Sequence, residues 1–571
     1  MRNHKSVTFI IILLVGLLSL LLIQRTQNVQ ALHSNTPNQE VTELQAGTAS
    51  VSQATYVHLD LSASIPELTS EQKQALEMAQ ELGPRPGPEL PAGDSAVNRP
   101  DSIVDPNSQT AAPTTNNTLQ SLEAPQAPGD WTIPRNTILT NLKAYSSRVG
   151  EPTVANSGSI VFATGNWWGA ISQDGGRNFS YVNPYTMFPS SFGGFCCDQI
   201  VTYDASRDLF IWYLQYISSG SPGSGQNLFR VAVSHPQDAA RGNWWYYDFT
   251  SDTNTEYDYP DLCLSNDYVY VTTNRGPFNG TTVNTAFIFK FPLDGLSTGA
   301  GFGFGFVNLG DAGLNNLSLR CTLGAHETMY FGSHNTLSQI RIFRWAENSG
   351  TIYWDDVNLS APWYNATHTC PGPDGRDWCG FDDGRIKAGW VSQGRIGFMW
   401  GSAQGGSFTY PYVEAVRVRE SDRAYLDRPF IWGASAAFAY PAASPNARGD
   451  LGVGFFLGGG GASGWYPYFG LAIDDDYSRD SGTYLPPPWN VRYMRQSSQG
   501  PYLNRWGDYI SVLPFAPTGL GWIAAGFTMQ GCGGNYCNEP SYTIFGRERD
   551  LRSMTKYYNP NYGIFVPFTM K

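Results

Sequence analysis

The sequence predicts an all-β fold, a β-propeller of seven four-stranded blades, on three observations. From about residue 150 onward a short pattern restarts roughly seven times: a charged residue, a β-run, a turn and a second, more hydrophobic β-run. A further β-run follows each pair at a spacing of about 60 residues, ample for a fourth strand. Aromatic residues at 14%, 61 glycines and only 15% charged residues suit close-set strands and tight turns better than helices. Six blades with a separate β-unit is the alternative, because the intervals around Cys370 and before Arg505 are long.

Residues 1–31 read as an export signal. Arg2, His4 and Lys5 precede the apolar run Val7 to Ile23, and Val29-Gln30-Ala31 offers a small-residue cleavage site. Membrane attachment enters the reading only through an uncleaved form of this run. Residues 32–130 are rich in Ser, Thr, Gln, Asn and Pro and poor in aromatics, so they cannot bury enough surface to fold alone. They are expected to be a disordered tether or pro-segment, with one helix-compatible stretch from Ser70 to Leu82.

Residues 131–571 carry the propeller pattern. Its clearest restarts begin at Asp198, Asp261 and Arg385, with fainter ones at Glu151, Arg320, Arg428 and Arg505. The third runs begin near Trp167, Phe229, Ala286, Gln339, Val413, Phe469 and Tyr542. Little β-pattern follows the last of these, whereas Asn136 to Lys143 is a β-run with no assigned partner. That segment is predicted to supply the outer strand of the last blade and so close the ring.

Eight cysteines in an exported chain predict disulfides. Cys370 with Cys379 and Cys532 with Cys537 look like pinned loops. Cys196, Cys197, Cys263 and Cys321 fall near inner-strand starts, where a vicinal bridge or pairing between neighbouring blades are both open. The histidines lack zinc-ligand spacing, and no metal or cofactor is expected. A formal charge of −12 argues against nucleic acid as the partner, because phosphate binding needs a basic surface.

Ser172-Gln173-Asp174-Gly175-Gly176-Arg177-Asn178-Phe179 lies where a hairpin joins the third and fourth strands of the first blade. Asp174 can bond turn backbone, Gly176 permits positive φ, and Phe179 returns to the blade. This octet resembles the Asp-box, or BNR, repeat of sialidase-like β-propellers, with a degraded second copy at Asn348, Gly350 and Tyr353. The resemblance implies a structural role for Ser172, Asp174, Gly176 and Phe179. It further implies a three-arginine clamp on a substrate carboxylate, for which Arg320, Arg428 and Arg505 are the candidates. The family's Arg-Ile-Pro motif is absent, and its Tyr and Glu are not matched.

Loops entering the innermost strands open on one face of a propeller, so Glu151, Asp198, Asp261, Asp382, Arg385, Arg428, Arg505 and Asp508 are expected near the channel mouth. Paired carboxylates there suit acid and base work on a glycosidic bond. Asp198 and Asp261 are the acid/base candidates, and Glu151, Arg320, Asp382, Arg385, Arg428, Arg505 and Asp508 the substrate-binding set. The competing role for each charge is to tie adjacent blades through ion pairs. Asp474-Asp475-Asp476 is expected to be a solvated acidic turn, and His334 a structural histidine. The functional expectation is a secreted or cell-surface propeller that recognises a glycan or polysaccharide, with glycoside hydrolysis as its chemistry. A non-catalytic binding or adhesion propeller and a polysaccharide lyase are the alternatives.

Overall fold

A computed structural model describes residues 42–61, 131–139, 146–189 and 192–559, with interruptions at 218, 221–223, 279–284, 407, 434, 460–463, 476–490 and 533–534. The helix-compatible stretch Ser70 to Leu82 and the side chains of Cys532 and Cys537 lie outside the described residues. Seven antiparallel sheets form a seven-bladed β-propeller. The inner strands are Thr153–Ser157, Phe195–Asp204, Thr255–Leu264, Arg320–Cys321, Ile386–Ser392, Ala437–Pro445 and Ser511–Pro514, for blades 1 to 7 in turn. Each inner strand touches the next, and that of blade 7 touches that of blade 1, which closes the ring.

Closure uses the N-terminal side of the propeller. Trp131–Ile138 pairs with Asn535–Arg547 as the outer strand of blade 7, with Tyr542 opposite Thr137 and Thr543 opposite Asn136. This is the clasp predicted for the unassigned run, set a few residues earlier. An otherwise unpaired sheet edge is thereby covered.

The apolar core sits between blades rather than inside any one of them. Blades 1 and 2 share Phe162, Trp212 and Trp244, whose rings meet at 4.9 to 5.3 Å. Blades 2 and 3 share Phe229, Phe249, Phe289 and Phe291, and equivalent clusters fill the remaining gaps. Both faces of every sheet are therefore apolar, which explains the aromatic-rich composition.

Residues 42–58 add three more strands. Thr42–Gln45, Gly47–Val51 and Thr55–His58 extend blades 4, 3 and 2 by a fifth, outermost strand each. They have no core of their own and are ordered on the edges of sheets already formed.

In the first hairpin, Ser172 Oγ donates to Asp174 Oδ1 at 2.8 Å, and the backbone N–H groups of Arg177 and Asn178 donate to the same oxygen at 3.0 Å. Partial burial works against ionisation of Asp174, but the bonds from Asn178, Ser172 and Arg177 hold its carboxyl below the usual range. Gly176 takes φ 81° in the turn, and Phe179 meets Tyr542 edge-on at 6.0 Å.

Three disulfides occur among the described residues. Cys196–Cys197 is vicinal, Cys263–Cys321 joins the inner strands of blades 3 and 4, and Cys370–Cys379 pins the long connection between blades 4 and 5. The acidic turn is corrected: Asp474 and Asp475 are buried, and Asp475 takes a two-pronged pair from Arg547 at 2.5 and 2.7 Å.

Candidate functional site

Four inner strands carry extra residues at the same end of the ring. In blade 2, Phe195 faces Tyr216 and Gln199 faces Leu214, so Cys196, Cys197 and Asp198 stand opposite Gln215 alone. In blade 3, Asp258 faces Asn274 and Asp261 faces Thr272, leaving Tyr259 and Pro260 opposite Thr273. Blade 5 bulges at Lys387, and blade 6 at Tyr440 and Pro441. A bulge disrupts the ladder locally and re-aims the side chains that it carries. Tyr259 and Tyr440 both take φ 55°, a left-handed conformation that is costly for a bulky residue and is held by its surroundings.

The re-aimed groups meet in a buried, charged cluster. Arg385 bridges two acids, with Nε 2.7 Å from Asp383 and Nη2 2.8 Å from Asp508. Its guanidinium lies over the Tyr259 ring at 4.1 Å. The backbone N–H of Asp508 donates to Glu151 Oε1 at 3.0 Å. Lys387 stands 3.4 Å from Asp383 and 3.7 Å from Asp382, and His368 stands 3.7 Å from Asp382 on the other side.

Carboxyls outnumber the cations that face them. Burial first, and the Asp508 charge second, push the Glu151 carboxyl up to about 8. Burial also drives Asp198 well above the usual carboxylate range, reinforced by Glu151, Asp258 and Asp508 and opposed by Arg385. Asp198 accepts no side-chain hydrogen bond among the described residues. Asp383 shows the opposite balance: burial disfavours its charge, but Arg385 and Lys387 hold its carboxyl well below the usual range.

A central cavity of about 70 Å³ is lined from all seven blades, including Thr153, Val201, Asp261, Arg320, Lys387, Ala443 and Tyr509. A water needs about 10 to 15 Å³ of such space, so this cavity has room for a few waters. The charged cluster stands at the mouth of this cavity, which shares Lys387 and Tyr509 with it. There the connection between blades 4 and 5, stapled by Cys370–Cys379, packs Trp378 against Trp506 with ring centres 6.1 Å apart and receives the Tyr440 hydroxyl on its Trp378 carbonyl at 3.3 Å.

The structure brings Glu151, Asp198, Asp382, Arg385 and Asp508 into this cluster, with Arg505 at its edge over the Phe381 ring at 5.3 Å. Asp261 and Arg320 line the channel but are corrected in role. They hold each other at 2.7 Å, and Asp261 also accepts the Cys321 N–H at 2.8 Å, so the pair ties blades 3 and 4. Arg428 is corrected in position. It does not open the inner strand of blade 6, which begins at Ala437; instead it pairs with buried Glu414 of blade 5 and donates to the Ala361 carbonyl. With Arg320 and Arg428 each paired to an acid, no three-arginine clamp forms among the described residues.

Tyr259, Lys387, Tyr440, Tyr509 and His368 were not among the sequence candidates. The Tyr-Pro pairs at 259–260 and 440–441 are the one visible signal, since proline inside a β-run marks a bulge or an edge. His334, by contrast, is half-buried, with its ring between Trp363 and Trp400 at 4.6 and 4.7 Å, and desolvation with Arg428 nearby lowers its pKa to about 3. The groupings of Asp261 with Cys263 and Cys321, and of Asp377 with Cys370 and Cys379, offer no thiolates to a metal, because the sulfurs are bonded to each other.

No protein-family model matches the chain, and no curated protein matches it. Similar solved structures include an α-L-arabinofuranosidase from Fusarium graminearum, at 11% identity over 69% of this chain and 92% of that one, with a TM-score of 0.30. The polysaccharide lyase Uly1 is 9% identical over 69% and 90%, with a TM-score of 0.36. The SapL1 lectin, solved with α-methyl fucoside, is 12% identical over 62% and 97%, with a TM-score of 0.32. At these values none of them bears on what this chain does.

Proposed function

We propose that the chain is an exported carbohydrate-acting propeller that binds a glycan at the channel mouth and cleaves a glycosidic bond there. One observation carries the reading: a carboxyl pushed up to about 8, Glu151, adjoins a carboxylate, Asp508, that is held by Arg385 at 2.8 Å. A proton-bearing acid beside a second carboxyl that is paired to a guanidinium is an arrangement suited to acid and base work in one site. Glu151, with Asp198 beside it, supplies the proton to the leaving oxygen, and Asp508, held by Arg385, is the second carboxyl of the pair. Export rests on the apolar run of residues 7–23 and on the three disulfides.

Further support comes from buried polar atoms at the mouth. The hydroxyl of Tyr509, Arg385 Nη1 and Arg505 Nε have no hydrogen-bond partner among the described residues, and such groups need one. Sugar hydroxyls are suitable partners. Kinship with sialidase-like propellers belongs to this reading only through the Asp174 hairpin. Sialoside specificity is not part of it, since Arg320 and Arg428 are paired with acids.

A second reading, a non-catalytic binding propeller, is favoured by the Arg385 bridge itself, which ties Asp383 of one connection to Asp508 of another. Incubating the secreted domain with neutral, uronate and sialylated glycans separates the two. Release of reducing ends that Glu151→Gln and Asp198→Asn abolish, while binding persists, supports hydrolysis. Binding without turnover in the parent protein supports the second reading, and no interaction with any glycan sinks both.

A further inference from the structure

The segment 42–59 repeats one contact three times. In the residues that follow each of its strands, a backbone N–H donates to a glycine carbonyl: Ala46 to Gly350 at 2.7 Å, Ala54 to Gly299 at 2.9 Å and Leu59 to Gly242 at 2.6 Å. Gly350, Gly299 and Gly242 occupy the same place in blades 4, 3 and 2, the connection between third and fourth strands. The segment therefore runs along the rim against the order of the blades and takes one anchor from each.

Between anchors the recognition is mostly main chain. Phe302 faces Val51 and Phe306 faces Gly47 in blade 3, and Asn243 faces His58 in blade 2. Within Gly47–Val51 the three central side chains are exposed, and within Thr55–His58 three of four are. The buried side chains are few: Ala54 and Leu59 enter the cores, with Leu44, Ala46, Val51 and Val57 packed against them. Ladder bonds that supply affinity, with a few small or apolar side chains that set register, are the marks of strand addition to a sheet edge. The chain between this segment and the clasp strand at Trp131 is about 70 residues, rich in Ser, Thr, Asn and Pro.

We propose that residues 42–59 are a separable strand ligand of the rim of blades 2 to 4. A chain cut between residues 62 and 130 keeps the segment, and the rim exchanges it for the same segment offered in trans.

The test uses the full chain with a site-specific protease sequence inserted between residues 62 and 130. After cutting, the N-terminal fragment is expected to co-elute with the propeller in native gel filtration. A labelled peptide spanning 42–61 then replaces it, saturating at one per propeller, while a peptide with Leu59→Asp binds at least about tenfold more weakly because the site of Leu59 is buried. Separate elution of the fragment overturns the proposal, since the seat would not hold it. A fragment that stays but never exchanges, or equal binding by the Leu59→Asp peptide, overturns it as well. The outcome does not depend on any glycan activity of the channel mouth.

Discussion

Asp508 donates its backbone N–H to Oε1 of the Glu151 carboxyl at 3.0 Å, across 357 positions of sequence. Blade 7 and blade 1 thus meet through the residue whose own side chain is held by Arg385 of blade 5. The seam of the ring and the centre of the charged cluster are the same place.

Glu151 makes stability fall as pH rises. Its folded pKa of about 8 lies above the usual value of 4.5, so the folded state binds the extra proton between those limits and loses that advantage as pH climbs through 8. Melting followed from pH 5 to 9 is expected to show a declining Tm that Glu151→Gln flattens. An unchanged slope in Glu151→Gln would remove Glu151 from this role.

Asp261→Asn and Asp198→Asn are expected to part company. Asp261→Asn leaves Arg320 buried without its partner and costs roughly 3 kcal/mol in urea unfolding. Asp198→Asn relieves a carboxyl held in an unfavourable setting, so it leaves stability equal or higher while removing turnover. Equal destabilisation by both variants would contradict the assignment.

Reduction of Cys196–Cys197 by a dithiol, which yields two thiols, frees the stretch that stands opposite Gln215. With the ring opened, Asp198 is expected to withdraw from Glu151 and titrate closer to an ordinary carboxyl. Infrared titration, with Asp198→Asn as the blank and Cys196→Ser/Cys197→Ser as a permanent mimic, reads that fall directly.

Asp174→Ala removes the acceptor of two backbone N–H groups and one hydroxyl in the first hairpin. A loss of about 1 kcal/mol in thermal or urea unfolding is expected, with glycan binding unchanged. A binding defect at equal folding would place function at this end of the propeller.

The blades were legible because their strands are buried on both faces and punctuated by turns: all seven third strands fall where the β-runs place them. Inner-strand starts were legible where a charge opens them, as at Arg385 and Arg320. Arg428 misled because Arg428-Pro429-Phe430-Ile431 has the same form, yet Phe430–Ile431 pairs with blade 5, and the true inner strand opens on the uncharged Ala437. The bulges at Asp198 and Lys387 leave no local signature, since they are set by pairing with a partner strand. Residues 42–58 were opaque for a related reason: their order comes from main-chain bonds to other blades, and their side chains mostly face solvent.

The clasp strand has a consequence for the timing of folding. Thr543 reaches Asn136 across 407 positions, a contact of very high sequence separation whose loop-closure entropy must be met before it contributes. During synthesis from the N-terminus, blades 1 to 6 can stack in turn, but Trp131–Ile138 has no partner until Asn535–Arg547 has emerged. A chain stopped short of residue 535 is then an open arc whose last blade lacks its outer strands and whose end blades bare an apolar face, exposed to aggregation for as long as those strands are missing.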